Sequence, residues 1–212
     1  MRNLTPVVKN LLIINALVFL ATELLPIGDR LVHFGALSLG LPWFHTYQYV
    51  TYMFLHGNFE HLFFNMFALW MFGRQLEYEL DSQRFFTYYM VCGIGAALLQ
   101  LGVGYAEYIH AVAANGFYGS LDLLRIPTVG ASGAVFGLLL AFGVLHPNNV
   151  IMLVFPPVAM KAKWFVVIYG LLELFFGLSG FQSGVAHFAH LGGMLWGLAL
   201  LHWWRKKGKI YF

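Results

Sequence analysis

Five polar side chains with the chemistry of acyl transfer stand in stretches that are otherwise apolar. Ser132 lies between glycines in VGASGAVFG. His61 and Asn65 lie four residues apart in HLFFNM, and His187 and His190 lie three residues apart in VAHFAHLGG. A serine hydroxyl becomes a nucleophile when a histidine within hydrogen-bonding reach removes its proton. His61, Asn65 and the N–H of Ser132 could then donate hydrogen bonds to the developing oxyanion.

A simpler interpretation of Ser132 is that its hydroxyl caps the N-terminus of a helix, a role that serine often fills. The glycines around it favour close packing in either case. Gly130 lets other backbone approach closely, and Gly133 and Gly137 form a G-x-x-x-G pair that lets a second helix pack tightly against this one. The choice between nucleophile and cap therefore depends on what surrounds Ser132.

The composition is that of an integral membrane protein. Of the 212 residues, 60% are hydrophobic and 10% are charged, whereas soluble domains carry about 25% charged residues. The single cysteine, Cys92, excludes a disulfide within the chain. The C-terminal RKKGK is expected to anchor the chain beside anionic lipid, so the predicted partner is the bilayer and not nucleic acid.

Six apolar segments predict an all-α membrane protein with six transmembrane helices in one domain that covers residues 1–212. The segments are residues 7–27, 59–80, 85–105, 132–145, 150–178 and 185–204, and the spanning part of the fifth is 164–178. A spanning helix needs about 20 residues, so the fourth segment is too short to cross alone. It is expected to begin inside protein or a wet cavity, because free N–H groups at a helix end are not tolerated in lipid.

The distribution of lysine and arginine predicts the orientation. With six helices, ten of the twelve basic residues fall on the side of both termini, and the positive-inside rule places that side in the cytoplasm. The second, fourth and sixth helices then all begin on the outer side. The five polar residues named above therefore lie in the outer half of the membrane, where they are expected to face the interior and converge on one cavity.

Neither a carboxylate partner nor a metal site is evident. Glu173 lies inside the fifth helix, but the sequence does not connect it to a histidine, so a serine–histidine dyad is expected and not a triad. His56, Glu60 and His61 resemble a metalloprotease motif, but the two histidines are five residues apart. That spacing places them about 140° apart around a helix. The sequence therefore predicts no metal and no cofactor.

The chain resembles the rhomboid family of intramembrane serine proteases over almost its whole length. The matching segments are HGNFEHLFFNM at 56–66, FGRQLE at 72–77, GASGAVFG at 130–137 and AHLGGMLWG at 189–197. Each segment alone is a weak signal, but the ordered set on the second, fourth and sixth helices is specific. Rhomboids are six-helix proteins that cleave the membrane-spanning helices of other proteins.

The resemblance implies a role for each matching residue. It implies Ser132 as the nucleophile and His190 as the base, because His190 is followed by Gly193 and Gly197 as the family base is. It implies His61 and Asn65 as oxyanion stabilisers. It also implies transmembrane protein substrates with small or helix-breaking residues near their outer ends, and a bacterial inner membrane as the location.

Two positions depart from the family pattern. Many rhomboids carry a tyrosine four residues after the serine, stacked on the catalytic histidine, where this chain has Phe136. Phe136 is expected to keep the stacking without the hydroxyl and, with Gly130, to contribute to binding at the site. Many relatives also have a Trp-Arg pair in the first outer loop, where this chain has Tyr47 and Gln48.

Two further expectations concern the periphery of the protein. Glu77 lies near Arg74 and Arg84 in sequence and is expected to form an ion pair on the inner side. The fifth helix and the loop at 178–184 are candidates for a lateral gate and cap, with the Pro156-Pro157 pair loosening the inner start of that region.

Two alternatives to a protease remain. One is an inactive rhomboid-like protein that binds membrane clients, and the presence of both Ser132 and His190 argues against it. The other is a transporter whose polar residues line a path, which would favour charges near the midplane or a tandem repeat of broken helices. Only Glu173 fits that second alternative.

Overall fold

The structure is a computed structural model that describes residues 4–40, 44–152, 158–179 and 185–210. This part of the chain is mostly helical, as predicted. The proposed hinge at Pro156-Pro157 and residues 180–184 of the proposed cap lie outside the described residues.

The described helices follow the predicted segments. In chain order they are α1 (Pro6–Leu24), α2 (Gly28–Gly35), α3 (Gln48–Thr51), α4 (Phe59–Ala68), α5 (Arg74–Leu80), α6 (Ser82–Asn115), α7 (Ser132–Leu145), α8 (Ala162–Ser179) and α9 (His187–Lys206). Short 3₁₀ turns cover Tyr52–Phe54 and Tyr118–Arg125, and the strands are β1 (Val150–Met152) and β2 (Ala159–Lys161).

The predicted second helix is continuous but not regular. A π-helical segment, Leu69–Gly73, joins α4 to α5, so the helical run from 59 to 80 contains one wide turn. Leu69 and Phe72 of this turn are buried against the core. Such π turns inside α-helices often occur at functional sites, and this one packs against α7.

The third helix is longer than its apolar segment. The prediction of 85–105 followed hydropathy, which falls at Glu107 and His110. The α-helix nevertheless continues to Asn115 because these polar residues do not break a helix, and it ends at Gly116, whose φ of 77° is a left-handed conformation that favours glycine.

Three of the described helices, α1, α6 and α8, are long and apolar enough to cross a membrane. The fourth, α7, is apolar but has only 14 residues. At 1.5 Å per residue it extends about 21 Å, which is short of a hydrocarbon core of about 30 Å. A helix of this length is too short to cross alone, and the expectation that it begins inside protein or a wet cavity stays a prediction.

Helix α7 forms the centre of the bundle. Ten of its 14 residues, from Gly133 to Gly143, are buried. It packs against α6, α8, α9 and the π turn. A helix that is apolar on every face belongs in such a position, and the surrounding protein provides the partners that lipid would not.

The G-x-x-x-G face of α7 meets the glycine face of α9. A Cβ atom at Gly193 would collide with the carbonyl oxygen of Gly133, so the two backbones touch there. Gly137 faces Cys92 of α6 and lies close to the carbonyl oxygen of Gly193. This contact fixes the relative height of α7 and α9, and with it the height of Ser132 against the histidines of α9.

The prediction that Glu77 forms an ion pair with Arg74 or Arg84 is wrong for the part of the chain that the structure describes. Its two carboxylate oxygens accept the N–H groups of Val7 and Val8, each at 2.9 Å, and one of them also accepts the Ser82 hydroxyl at 2.6 Å. Val7 and Val8 lie in the first turn of α1, whose N–H groups have no partner within the helix. A negative charge there also suits the helix dipole, so Glu77 anchors the start of α1 to α5.

The first outer loop is held by Gln48, the residue in place of the family arginine. This side chain is fully buried. Its amide donates to the Phe34 carbonyl at 3.0 Å, and its oxygen accepts the N–H groups of Ser38 at 3.4 Å and His45 at 3.3 Å. Tyr47, by contrast, is exposed. Gln48 therefore organises the loop backbone without a positive charge.

The two long outer loops are joined beside the site. Leu37 and Thr128 exchange two backbone hydrogen bonds of 2.9 Å as an isolated antiparallel bridge. On the opposite side of the bundle, β1 and β2 pair antiparallel, with Ile151 opposite Met160. The sequence predicts that the helix of the fifth segment begins near 164, and α8 starts at Ala162 directly after β2. That this helix spans the membrane stays a prediction.

Candidate active site

Ser132 is the first residue of α7, so its hydroxyl stands at the N-terminal end of the buried helix. Its Oγ lies 2.8 Å from Nε2 of His190 on α9. The cap position is held by Ala131, and the Ser132 hydroxyl bonds to a side chain instead of a backbone N–H. The structure therefore does not use Ser132 as a helix cap.

Two contacts orient the His190 ring. Phe136, one turn after Ser132, stacks on it with ring centroids 4.1 Å apart and planes inclined by 5°. On the other edge of the ring, Nδ1 lies 2.9 Å from Oε2 of Glu173 on α8. A carboxylate can only accept hydrogen bonds, so the network assigns a proton to Nδ1. The lone pair of Nε2 then accepts the hydroxyl of Ser132.

Glu173, which the sequence does not connect to a histidine, contacts His187 and His190 of α9. The expected serine–histidine dyad stays a prediction. The same Glu173 oxygen that contacts His190 also lies 2.7 Å from Nδ1 of His187. Both contacts join α8 to α9 across sequence separations of 14 and 17 residues, which no helical spacing predicts. The side chains of all three residues are buried.

His61 faces Ser132 and His190 across a cavity. Asn58 caps α4 by accepting the N–H of His61 at 2.8 Å, and the N–H of Gly57 approaches Nδ1 of the His61 ring at 3.4 Å. Because Nδ1 accepts, a neutral ring carries its proton on Nε2. That nitrogen is the one that can donate to an oxyanion.

Gly130 admits the His61 ring to the site. Its φ of 125° is unfavourable for other residues, and a Cβ atom here would lie 2.7 Å from Cε1 and Nε2 of His61. Its N–H donates to the Tyr52 carbonyl at 2.9 Å. The close approach expected at Gly130 is thus that of a side chain and not of another backbone.

Asn65 does not line the cavity with the other predicted residues. It lies one turn deeper on α4, is 5% exposed, and donates from its amide to the carbonyl oxygen of His61 at 2.8 Å. In this arrangement Asn65 supports the turn that carries His61. The amide would have to turn away from that carbonyl to reach an oxyanion directly.

His56 supports the back of the His61 ring. The two rings meet edge to face with centroids 5.0 Å apart. Burial, followed by the proximity of His61, lowers the pKa of His56 to about 4. His56 is therefore neutral at neutral pH and adds no positive charge next to His61.

The cavity at the N-terminal ends of α4, α7 and α9 has a volume of about 490 Å³. Its lining includes Ser132, His61 and His190, Gln100 of α6 and residues 126–129 of the second outer loop. The first N–H groups of α7 have no partner within the helix and point toward its open end. The cavity thus contains a hydroxyl, an imidazole base and hydrogen-bond donors within one small volume.

Residues 44–206 match the family described as Rhomboid domain. The match covers most of the chain and includes every residue of the cavity. The chain belongs to the rhomboid family.

Three relatives show how far the similarity extends. Rhomboid protease AarA of Providencia stuartii is 30% identical over 200 residues, which cover 92% of this chain and 69% of that protein. Rhomboid protein 1, mitochondrial, of Saccharomyces cerevisiae is 34% identical over 156 residues, or 73% of this chain and 40% of the relative. RHOMBOID-like protein 12, mitochondrial, of Arabidopsis thaliana is 30% identical over 167 residues, which cover 77% of this chain and 47% of that protein. The chain spans less than half the length of the two mitochondrial relatives.

Membership of the rhomboid family identifies the chain as an integral membrane protein of a protease family. The apolar helices α1, α6 and α8 agree with that placement. The three motif residues that a rhomboid protease would use at the cavity, Ser132, His190 and His61, lie on α7, α9 and α4.

Glu173 is the residue of this rhomboid site that the sequence alone does not connect to a partner. A signal for it was present, because Glu173 is the only acidic residue after Asp122 and stands inside an apolar helix. An ionisable residue within a membrane span is expected to have a partner and a function. The histidines of the next helix were the nearest possible partners.

Among the described residues, one group of three potential metal ligands lies close together. Glu173, His187 and His190 hold their ligand atoms within 4.8 Å of one another. Here the carboxylate accepts hydrogen bonds directly from both rings, which occupies the two Nδ1 atoms with protons. Metal binding would have to displace those protons. The prediction that this rhomboid holds no metal stays a prediction.

Proposed function

We propose that the protein is an intramembrane serine endopeptidase that cleaves transmembrane helices of other membrane proteins. The single observation that carries this proposal is the 2.8 Å distance between Ser132 Oγ and His190 Nε2. This is within the reach of about 2.6–3.2 Å that a general base needs. The pair opens into a cavity that holds a third polar residue, His61, as a hydrogen-bond donor.

In the proposed reaction, Ser132 Oγ attacks the carbonyl carbon of the scissile peptide bond while its proton passes to Nε2 of His190. The C–N bond then breaks and His190 gives that proton to the leaving amine, which leaves an ester on Ser132. A water molecule, deprotonated by His190, attacks the ester. Its hydrolysis releases the new carboxyl end of the substrate and restores the serine hydroxyl.

The oxyanion that forms at each attack requires donors within the cavity. The N–H of Ser132 and Nε2 of His61 are the proposed donors, with Asn65 acting on the turn that carries His61. A peptide bond inside a helix is shielded by its own hydrogen bonds. Substrates are therefore expected to carry small or helix-breaking residues near their outer ends, so that the segment can unwind at Ser132.

The experiment that tests this function uses purified protein in proteoliposomes. The substrate is a single-span protein whose transmembrane segment has a Gly-rich outer end, and the matched control has leucines in place of those glycines. The proposal expects one cut near the outer end of the first substrate and little or none in the control. Cleavage of both at equal rates would contradict the requirement for unwinding.

The proposed topology has six spans in one domain over residues 1–212, with both termini in the cytoplasm and a bacterial inner membrane as the location. Single cysteines in a Cys92→Ala background test it. Tyr118 is 87% exposed in the second outer loop and suits this test, whereas the neighbouring Ser120 is buried. An impermeant thiol reagent should label Tyr118→Cys in intact cells but Leu4→Cys and Lys207→Cys only after lysis. An externally labelled Lys207→Cys would mean that the number of spans is odd.

The oxyanion assignment predicts a selective loss of turnover. His61→Ala removes a donor that acts only as charge develops, so kcat should fall by about 10²–10³ while KM changes little. Asn65→Ala should lower kcat less, because it acts through the His61 turn. Initial rates across a range of substrate concentrations in proteoliposomes separate the two constants. If both residues can be replaced together without loss of kcat, the oxyanion donors lie elsewhere.

A further inference from the structure

A buried carboxylate sits behind the base. Glu173 is 8% exposed in the middle of the apolar helix α8. A carboxylate at this depth is costly unless it is hydrogen-bonded or paired with a charge. The partners that the structure gives it are two imidazole rings of α9, His187 at 2.7 Å and His190 at 2.9 Å, and one oxygen atom accepts both hydrogen bonds.

We propose that Glu173 is a positioning residue for His190, held in place by His187, and that this chain works with a Ser132–His190–Glu173 triad instead of a dyad. The inference rests on the proposed protease function and names a residue that the family resemblance does not imply.

The tautomer of His190 depends on its contact with Glu173. Phe136 stacks on one face of the ring and holds its plane. Stacking on a flat face cannot decide which ring nitrogen carries the proton. The hydrogen bond from Nδ1 to Glu173 decides it, because a carboxylate only accepts. The hydrogen bond therefore favours the tautomer in which Nε2 is the basic nitrogen opposite Ser132.

Glu173 also compensates the charge that forms on His190 during the reaction. When His190 takes the proton of Ser132 it becomes a cation inside a bundle with few other charges. A carboxylate 2.9 Å away offsets that charge as it appears. Attraction between unit charges at such a distance is several times stronger near protein than in bulk water. Glu173 therefore stabilises the state in which His190 is protonated more than the resting state, which is the condition for faster chemistry.

His187 holds the carboxylate of Glu173 in place. Its Nδ1 donates to the carboxylate, and its Nε2 is buried without a partner among the described residues. His187 therefore contributes one hydrogen bond, to Glu173. With Oε2 fixed by His187, the carboxylate does not need to move when the proton reaches His190. A preorganised acceptor of this kind is more effective than a mobile one.

The test compares three variants in the proteoliposome assay. Glu173→Gln keeps the length of the side chain and removes its charge. Glu173→Asp keeps the charge on a side chain that is one methylene shorter. His187→Asn keeps a donor of smaller size beside an intact Glu173. Each preparation is first titrated with a fluorophosphonate at high concentration and long exposure, so that rates are expressed per competent Ser132.

The proposal expects Glu173→Gln to lower kcat per competent site by about 10²-fold, within the usual range for proton-transfer catalysis, with KM unchanged. Glu173→Asp should recover part of that loss, and His187→Asn should cost less than Glu173→Gln. The rate of fluorophosphonate labelling at low reagent concentration should fall in the same order. A residue that only supports the fold would reduce the number of competent sites and leave kcat per site intact.

Two results would overturn the inference while leaving the protease intact. One is a Glu173→Gln enzyme with the wild-type kcat per site, when Ser132→Ala is inactive. The other is a wild-type enzyme that loses activity in EDTA and regains it with Zn²⁺, because Glu173, His187 and His190 would then form a metal site and not a hydrogen-bonded group. Cleavage by Ser132→Ala, by contrast, would remove the proposed function itself.

Discussion

Replacing Ser132 by alanine is expected to abolish proteolysis and to leave a folded protein in the membrane. The change removes one oxygen atom, the only nucleophile in the pair with His190. Other serine proteases that lose their nucleophile lose about 10⁶ in kcat. A cut by Ser132→Ala should therefore be undetectable over the hours in which the wild-type protein consumes its substrate.

The cost in stability should be small. Ser132 forms no cap bond at the start of α7, so the variant loses one hydrogen bond beside an open cavity, worth about 0.5–1.5 kcal/mol. For a chain of this size that corresponds to about 1–6 °C in melting temperature. Thermal unfolding in detergent, followed alongside the cleavage assay, checks that inactivity is chemical. An inactive variant that also fails to insert would be replaced by Ser132→Gly.

His190→Ala is expected to have the second largest effect, with kcat lower by at least about 10³-fold. It removes the only imidazole that the structure places within hydrogen-bonding reach of Ser132 among the described residues. It also leaves Glu173 with one partner instead of two, so the folded yield should fall somewhat. Cleavage is therefore measured per mole of folded protein, as judged by gel filtration.

His187→Ala is the matched control for that experiment. It removes an imidazole from the same face of α9, and Glu173 again loses one of its two partners. The imidazole that is lost contacts Glu173 and not Ser132. The ring centroids of His187 and His190 are 6.4 Å apart, so the His187 ring cannot replace His190 Nε2 beside Ser132 unless α9 moves. His187→Ala should keep at least about a tenth of the wild-type kcat, given that one neutral hydrogen bond contributes about 1 kcal/mol. If His187→Ala lost its kcat and His190→Ala kept it, His187 would be the base and His190 would not.

The parts of the site that the sequence could predict are those with a local spacing. His61 and Asn65 at i and i+4, and the glycine pairs on α7 and α9, are repeats of the helical turn. The contact between Gly133 and Gly193 sets the height of Ser132 against α9. From the sequence, the choice of His190 over His187 rests on the resemblance to the family base, which is followed by glycines at the same spacing as Gly193 and Gly197.

The features that could not be predicted are contacts between helices distant in sequence. Glu173 reaches α9 across a connection whose geometry the sequence does not specify, and Glu77 reaches the start of α1 from 70 residues away. In both cases a carboxylate inside an apolar region indicated that a partner was needed. Hydropathy and spacing could not identify which one. Asn65 shows the opposite case, where the right helix face did not guarantee that the amide would line the cavity.

The central claim is that Ser132 is a nucleophile activated by His190, and site-mapped fluorophosphonate labelling tests it most directly, because it needs no knowledge of the natural substrate. Wild-type protein in detergent is treated with the reagent, digested and sequenced by mass spectrometry, with His190→Ala and Ser132→Ala in parallel. We expect one adduct, on Ser132, in the wild-type protein, a labelling rate at least about 10²-fold lower in His190→Ala, and no adduct in Ser132→Ala. An adduct on another residue, or equal labelling of Ser132 with and without His190, would contradict it.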